Sequence, residues 1–190
     1  LDEIDFATKT TQQTIELANT GTGILSGSVG EEADWLVVDP IEGETLDEID
    51  VIVLSVNREQ SLAGSYETQM TIESDGGSHQ IRALMTVEAE PMFSVDVTNM
   101  DLGTQEDQRV LTISNDGNVL INVDVGSDSD WLRVAPASND LSSGANATVE
   151  VSVDRVPLDP GRHDGVITVR GAGAAIDVPV TVLVERGVLI

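Results

Sequence analysis

The chain has 190 residues, of which 34 are acidic and 9 are basic, so its formal net charge is −25. Such a surface repels nucleic acids and anionic membranes, because each phosphate contact needs a Lys or Arg side chain. There is no cysteine, which excludes disulfides, thiol catalysis and Cys-ligated zinc. No apolar run approaches the roughly 20 residues that a spanning helix needs, so we expect no membrane insertion.

The basic residues indicate the environment. Lys9 is the only lysine, and Asp outnumbers Glu among the acidic residues. This composition resembles that of proteins from extreme halophiles. At about 1 M salt the Debye length falls to roughly 3 Å, which screens the repulsion among carboxylates. The alternative is an ordinary acidic secreted protein loaded with calcium.

The chain repeats itself. Trp35-Leu36 is matched by Trp131-Leu132 at an offset of 96 residues, and Pro40 and Pro136 keep that offset. Further along, the offset increases by one residue, so that Arg58 corresponds to Arg155. The matches run in order along the whole chain, which indicates two domains of about 95 residues each. We place them at residues 1–90 and 91–190, with a C-terminal extension at 185–190.

Each half is predicted to be a series of short strands, because apolar and polar residues alternate and β-branched residues are enriched. In the first half the predicted strands are Thr14–Ala18, Ile24–Val29, Trp35–Val38, Asp50–Val56, Tyr66–Ser74 and His79–Val87. In the second half they are Phe93–Val97, Arg109–Ser114, Leu120–Val125, Leu132–Ala135, Ala147–Val153, Gly165–Arg170 and Ala175–Val184. About seven strands per domain predict an all-β chain of two tandem immunoglobulin-like sandwiches.

A family resemblance rests on three stretches of the second half. These are the Asn115-Asp116-Gly117 turn, DWLRVAPAS at 130–138 and VSVDRVPLDPGRHDGVITV at 151–169. The first half has a looser copy, with DWLVVDP at 34–40 and VNREQSLAGSYETQMTI at 56–72. The chain thus resembles tandem BACON-type immunoglobulin-like domains of surface and phage proteins. The resemblance implies a seven-stranded sandwich in an extracellular protein, acting as a spacer or, as the family's name suggests, binding carbohydrate.

The two ends of the chain are mismatched. The second half begins with an extra strand, MFSVDV at 92–97, and the first half has no counterpart to it. The tail ERGVLI at 185–190 stands where the first half continues into that strand. An open sheet edge is a template for another chain, so we expect head-to-tail strand addition between copies. The predicted assembly residues are Leu1, Ile4, Val188, Leu189 and Ile190. Alternatively, the tail is the first part of a further module in a longer array.

Few residues suggest a binding site. Trp35 and Trp131 occupy equivalent positions, which favours a packing role over a ligand-binding one. Tyr66 is the remaining aromatic candidate for stacking on a glycan, with the Asp128 and Asp130 carboxylates as polar contacts. Two loops rich in carboxylates are candidate calcium sites, although neither has EF-hand spacing. Their predicted ligands are Glu31, Glu32 and Asp34 in one copy and Asp128 and Asp130 in the other.

The paired Arg58 and Arg155 are either a ligand-binding fork or structural residues that donate to loop carbonyls, and their repetition favours the second interpretation. Asn146 lies in an Asn-x-Thr sequon, which makes it a candidate glycosylation site. We expect no cofactor, with calcium as the alternative.

An enzyme is not expected. His79 and His163 fall at non-equivalent positions in different domains, and no catalytic triad or aromatic-lined cleft is indicated. We expect a structural module of an extracellular assembly: a filament or pilus-like fibre, a surface layer or stalk, or a virion fibre. Its partners would be copies of itself or neighbouring immunoglobulin-like modules. The alternative is an adhesin that binds surface glycans through polar, calcium-assisted loops.

Overall fold

The computed structural model describes residues 1–46 and 49–186. Within these ranges the chain forms 17 strands and no helix. It divides into two compact units, Leu1–Ala89 and Glu90–Ile190. The predicted fold class, two tandem immunoglobulin-like sandwiches, is confirmed, with eight strands described in the first unit and nine in the second.

In the first unit, two sheets pack face to face. The larger has the order β1-β8-β7-β3-β5, with β1 parallel to β8, and the smaller has the order β2-β6-β4. The strands are β1 (Glu3–Asp5), β2 (Gln12–Ala18), β3 (Leu25–Gly30), β4 (Leu36–Asp39), β5 (Glu42–Thr45), β6 (Ile49–Val56), β7 (Gly64–Ser74) and β8 (Gly77–Val87).

The second unit repeats this arrangement with one addition. Its sheets have the orders β10-β17-β16-β12-β14 and β13-β15-β11-β9, so the smaller sheet gains a fourth strand, β9. The strands are β9 (Phe93–Val95), β10 (Met100–Asp101), β11 (Gln108–Asn115), β12 (Ile121–Ser127), β13 (Leu132–Ala135), β14 (Ser138–Leu141), β15 (Asn146–Val153), β16 (Gly161–Gly171) and β17 (Ala174–Val184).

Two strands in each unit, at corresponding positions, are absent from the predicted set. β1 and β10 have three and two residues, too few for alternation to be visible. β5 and β14 are edge strands with the sequences EGET and SNDL, which lack the β-branched enrichment of a strand. They form because β5 pairs with β3 and β14 pairs with β12. The local sequence gives no sign of this pairing, because the partner strands are brought beside them by the tertiary fold.

The core of each unit lies between its two sheets, formed by inward residues that alternate with exposed ones. Phe6, Leu54 and Met70 are fully buried in the first unit, as Leu111 and Val169 are in the second. Burial of this apolar area is the main favourable contribution to folding, at about 25 cal/mol per Å². Each unit therefore has a core of its own.

The Asn-x-Gly turn has a structural role in both copies. The Asn115 side chain is 1% exposed, and its Nδ2 donates to the carbonyls of Val119 and Leu141, both at 2.8 Å. Asn19 Nδ2 makes the corresponding bond to the Thr45 carbonyl at 3.1 Å. These bonds satisfy buried backbone acceptors, which explains why both copies have Asn there.

Candidate functional site

The edge of the smaller sheet distinguishes the two units. In the second unit β11 pairs with β15 on one side and with β9 on the other. In the first unit the corresponding strand β2 pairs with β6, and no other described strand lies beside it. An unpaired strand of seven residues exposes backbone donors and acceptors that can bind a further strand.

The second unit shows how this edge is covered when a strand is present. Val95, Ser94 and Phe93 of β9 lie opposite Ile113, Ser114 and Asn115 of β11, in antiparallel register. Phe93 is 7% exposed and belongs to the hydrophobic core. β9 therefore covers the sheet edge with its backbone and fills the core with its aromatic side chain.

The alternation of hydrogen bonds identifies the groups at the open edge. Val56 N donates to Thr11 O at 2.9 Å, so residue 11 and every second residue after it face β6. The intervening residues, among them Glu16 and Ala18, direct their N–H and C=O groups away from β6. Sequence reasoning inferred the missing strand but not these recipient residues. The offset of 96, which aligns Ala18 with Ser114, is the signal that identifies them.

The predicted assembly residues fall in three different places. Leu1 is 68% exposed, and its carbonyl accepts a hydrogen bond from His79 Nε2 at 2.8 Å. Ile4 is 4% exposed and lies opposite Ala83 in the pairing of β1 with β8. The assignment of Ile4 to an assembly contact is therefore corrected, because its side chain belongs to the first unit's own core. Val188, Leu189 and Ile190 lie outside the described residues.

The two tryptophans pack at the rim of each core. Both are half-buried against the core cluster of their own unit, which confirms the packing interpretation. Trp35 meets Tyr66 edge to face with ring centroids 6.4 Å apart. The Tyr66 hydroxyl donates to the Leu62 carbonyl at 2.8 Å, so this group is already engaged within the loop. Glycan binding by Tyr66 stays a prediction, with a hollow of about 440 Å³ beside both rings.

Carboxylates of the two acidic loops accept hydrogen bonds from the chain itself. Asp128 Oδ1 accepts hydrogen bonds from Val166 N and Ser129 Oγ, both at 2.8 Å. The Val166 amide, followed by the Ser129 hydroxyl, holds the pKa of Asp128 below its ordinary value. Glu31 Oε2 likewise accepts from Ala33 N at 2.8 Å.

The calcium hypothesis gains no support from these loops. Glu32, Asp34 and Asp130 are exposed. Among residues 1–46 and 49–186, no three His, Asp or Glu side chains form a group that could hold a metal ion. Calcium usually takes six to eight oxygen ligands. Calcium binding by the Glu31, Glu32 and Asp34 loop or by Asp128 and Asp130 stays a prediction.

The paired arginines are structural, which confirms the second of the two interpretations. In the first unit, Arg58 donates to the carbonyls of Phe6, Ala7 and Thr86. In the second unit, Arg155 donates to four backbone carbonyls and to the Asp107 carboxylate, with its Nε 2.7 Å from Oδ1. Each guanidinium thereby joins separate chain segments through its planar set of donors. The remaining acceptors of Arg155 are the carbonyls of Leu102, Gly103, Glu106 and Leu183.

The sequon residue Asn146 is exposed at the start of β15. Its side chain is accessible to a glycosylating enzyme, and modification there stays a prediction. As for a bilayer crossing, the described part of the chain has no helix with the length and apolarity that one requires.

Comparison with known proteins identifies the family. The model of the viral BACON domain matches the chain twice, at residues 2–89 and 92–183. No curated protein matches.

Three solved structures are similar in fold, and all three have TM-scores below 0.5. A protein of unknown function from Porphyromonas gingivalis W83 has 13% identity and a TM-score of 0.46, with 91% of each chain covered. Domains 4 and 5 of the S-layer protein SbsC have 17% identity and a TM-score of 0.43, covering 64% of this chain and 66% of that one. The periplasmic chaperone SfaE has 10% identity and a TM-score of 0.43, covering 52% and 60%.

Proposed function

This chain belongs to the viral BACON domain family, and we propose that it is a structural module of an extracellular assembly. In this assembly, copies join head to tail by strand addition at the open edge of β2. The observation that supports the proposal is the difference between the units: β11 has β9 beside it, whereas β2 has no described strand in that position.

Strand addition is expected at this edge because an unpaired strand exposes backbone N–H and C=O groups that can pair with another strand. Main-chain hydrogen bonds supply affinity in such complexes, and pockets for alternate side chains supply specificity. A contact between one end of a copy and the other end of the next is heterologous, so it generates an open filament if the rotation does not close. Such a polymer fits a fibre, a stalk or a surface layer.

The charge of the chain supports an extracellular, salty setting. A net charge of −25 keeps individual copies apart at low ionic strength. At about 1 M salt, where the Debye length is roughly 3 Å, copies can approach and short-range contacts dominate. The proposed location is the cell surface or the virion.

The test is to block the edge without disturbing the sheet. Ala18→Pro removes an N–H that points away from β6 and places a ring where a partner strand would bond, which edge strands tolerate. Ala18→Ser is the matched control, because Ser114 occupies this position in the second unit. Light scattering in multimolar salt should show oligomers for the wild type and the Ser variant, and monomers for the Pro variant. Equal oligomers from both variants would contradict the proposal.

A further inference from the structure

We infer that the open edge forms one wall of a groove that accepts the tail of a second copy, with Ile190 in the place that Phe93 takes in the second unit. The tail would lie antiparallel to β2, and Ile190 would lie opposite Asn19, as Phe93 lies opposite Asn115. This inference rests on the proposed function, because it specifies the partner segment and its register at the same edge.

The groove is present between the sheets of the first unit. A hollow of about 350 Å³ lies between β2 and the β7–β8 hairpin, with Ile15, Leu17, Ile72 and Ile81 among its lining residues. Leu17 is half-buried, whereas its counterpart Ile113 is 0% exposed. Val95 of β9 pairs with Ile113, whereas no described strand lies on that side of Leu17, and this accounts for the difference.

The turn after the strand shows where an incoming segment would be held. A Cβ built on Gly117 would lie 2.1 Å from the carbonyl oxygen of Glu90, so the chain leading into β9 passes directly over this glycine. A Cβ on Gly21, the counterpart in the first unit, has only its neighbour Asn19 nearby, at 3.3 Å. The turn of the first unit therefore leaves room for the same segment.

The backbone amides of the two turns support this comparison. Asp116 N donates to Met92 O at 3.1 Å in the second unit. The corresponding amide of Thr20 donates to no carbonyl among the residues that the structure describes. An exposed amide at the end of an unpaired strand can donate a hydrogen bond to the carbonyl of an incoming strand without breaking an existing bond. The turn thus offers a second point of attachment beyond the strand edge.

The sequence of the tail matches what the groove requires. Val87 ends β8 opposite Gly64, and Val184 ends β17 opposite Gly161, so the two valines correspond. Six residues beyond each of them stand Phe93 and Ile190, both apolar. Met92 and Leu189 precede them. The tail therefore carries apolar residues at the positions that seat β9 in the second unit.

The chain has no cysteine, so a designed disulfide tests the register directly. By the register of β9, Leu189 would lie opposite Thr20, as Met92 lies beside Asp116. Facing residues of antiparallel strands have Cα atoms about 4.5–5.5 Å apart, within the range of a disulfide. The variant Thr20→Cys with Leu189→Cys should give a ladder of linked oligomers on oxidation in multimolar salt.

Two controls keep the test specific. In the first control, Thr14→Cys with Leu189→Cys, the thiol at position 14 lies on the same exposed side as position 20 but six residues from it. This pair should give no ladder. Adding Ile190→Asp to the first pair should abolish its ladder, because a carboxylate cannot occupy an apolar groove.

Each other outcome overturns the inference. Equal ladders from the two cysteine pairs would contradict the register. A disulfide formed within single chains would contradict a second copy as the donor. If no disulfide forms while Ala18→Pro still dissolves the oligomers, this tail is not the occupant, although the proposed function stands. If the oligomers are insensitive to Ala18→Pro, the proposed function fails as well.

Discussion

Trp131 and His163 meet edge to face in the second unit, with ring centroids 6.5 Å apart and planes at 65°. Trp35 and Tyr66 repeat this arrangement in the first unit, at 6.4 Å and 61°. His163 Nε2 lies 2.8 Å from the Asp159 carbonyl, just as the Tyr66 hydroxyl lies 2.8 Å from that of Leu62. Because a carbonyl only accepts, Nε2 carries the hydrogen of this bond. The histidine thus serves as a structural equivalent of tyrosine.

This equivalence predicts that His163→Tyr is tolerated and His163→Ala is not. The Ala variant loses an aromatic pair of about 0.5–1.5 kcal/mol and a hydrogen bond of about 1 kcal/mol. The Tyr variant keeps both and should stay within about 0.5 kcal/mol of the wild type. Urea unfolding followed by Trp131 fluorescence, in a Trp35→Phe background, measures the second unit alone. Equal losses from both variants would contradict the shared role.

A second prediction concerns a backbone position with positive φ in both units. Ala7 has φ of 46° and its counterpart Gly103 has φ of 50°. The left-handed conformation costs a residue with Cβ about 1–2 kcal/mol, partly offset by the greater chain entropy of glycine. Ala7→Gly should therefore stabilise the first unit by roughly 0.5–1 kcal/mol, and Gly103→Ala should destabilise the second similarly. Urea unfolding of the two variants checks this, and two changes of the same sign would refute it.

The pH dependence of the second unit should include a contribution from Asp128. Its carboxylate accepts hydrogen bonds from Val166 N and Ser129 Oγ, which lower its pKa from the ordinary value of 3.8. Its stabilising contribution is therefore complete above pH 3.8 and is lost as the pH falls through the lower folded value. Asp128→Asn should lower the melting temperature at pH 7, and this effect should shrink as the pH falls below 3.8. A difference that is constant with pH would contradict this cause.

Stability should rise steeply with salt. The Debye length falls from about 10 Å at 0.1 M to roughly 3 Å at 1 M, which screens the self-repulsion of the chain. The melting temperature should increase across this range of NaCl. A variant with Glu32→Gln, Asp34→Asn and Asp130→Asn should show a shallower increase, because exposed like charges have been removed. Identical slopes for both proteins would show that carboxylate repulsion is not the cause.

The sequence predicted most of the fold because the repeat made each element visible twice. The bounds of the predicted strands agree with the structure to within about four residues. The repetition of Arg58 and Arg155 predicted their structural role correctly. β5 and β14 escaped notice, because an edge strand made stable by its neighbour needs no β-branched residues of its own.

The candidate site was only partly predictable. Comparison of the two halves predicts that no residues within the first half correspond to β9. Ile4 was misplaced because β1 has three residues, and such a short strand gives no sign of pairing with β8. The groove along β2 depends on distances between strands far apart in sequence, which a local pattern does not contain.

The measurement that tests the central claim most directly compares the full chain with a chain that ends at Arg186. Both would be purified in multimolar salt and studied by light-scattering chromatography and negative-stain microscopy. We predict filaments or a concentration-dependent series of oligomers from the full chain, and a monomer from the shortened one. Monomers from both chains at every concentration would contradict assembly by strand addition.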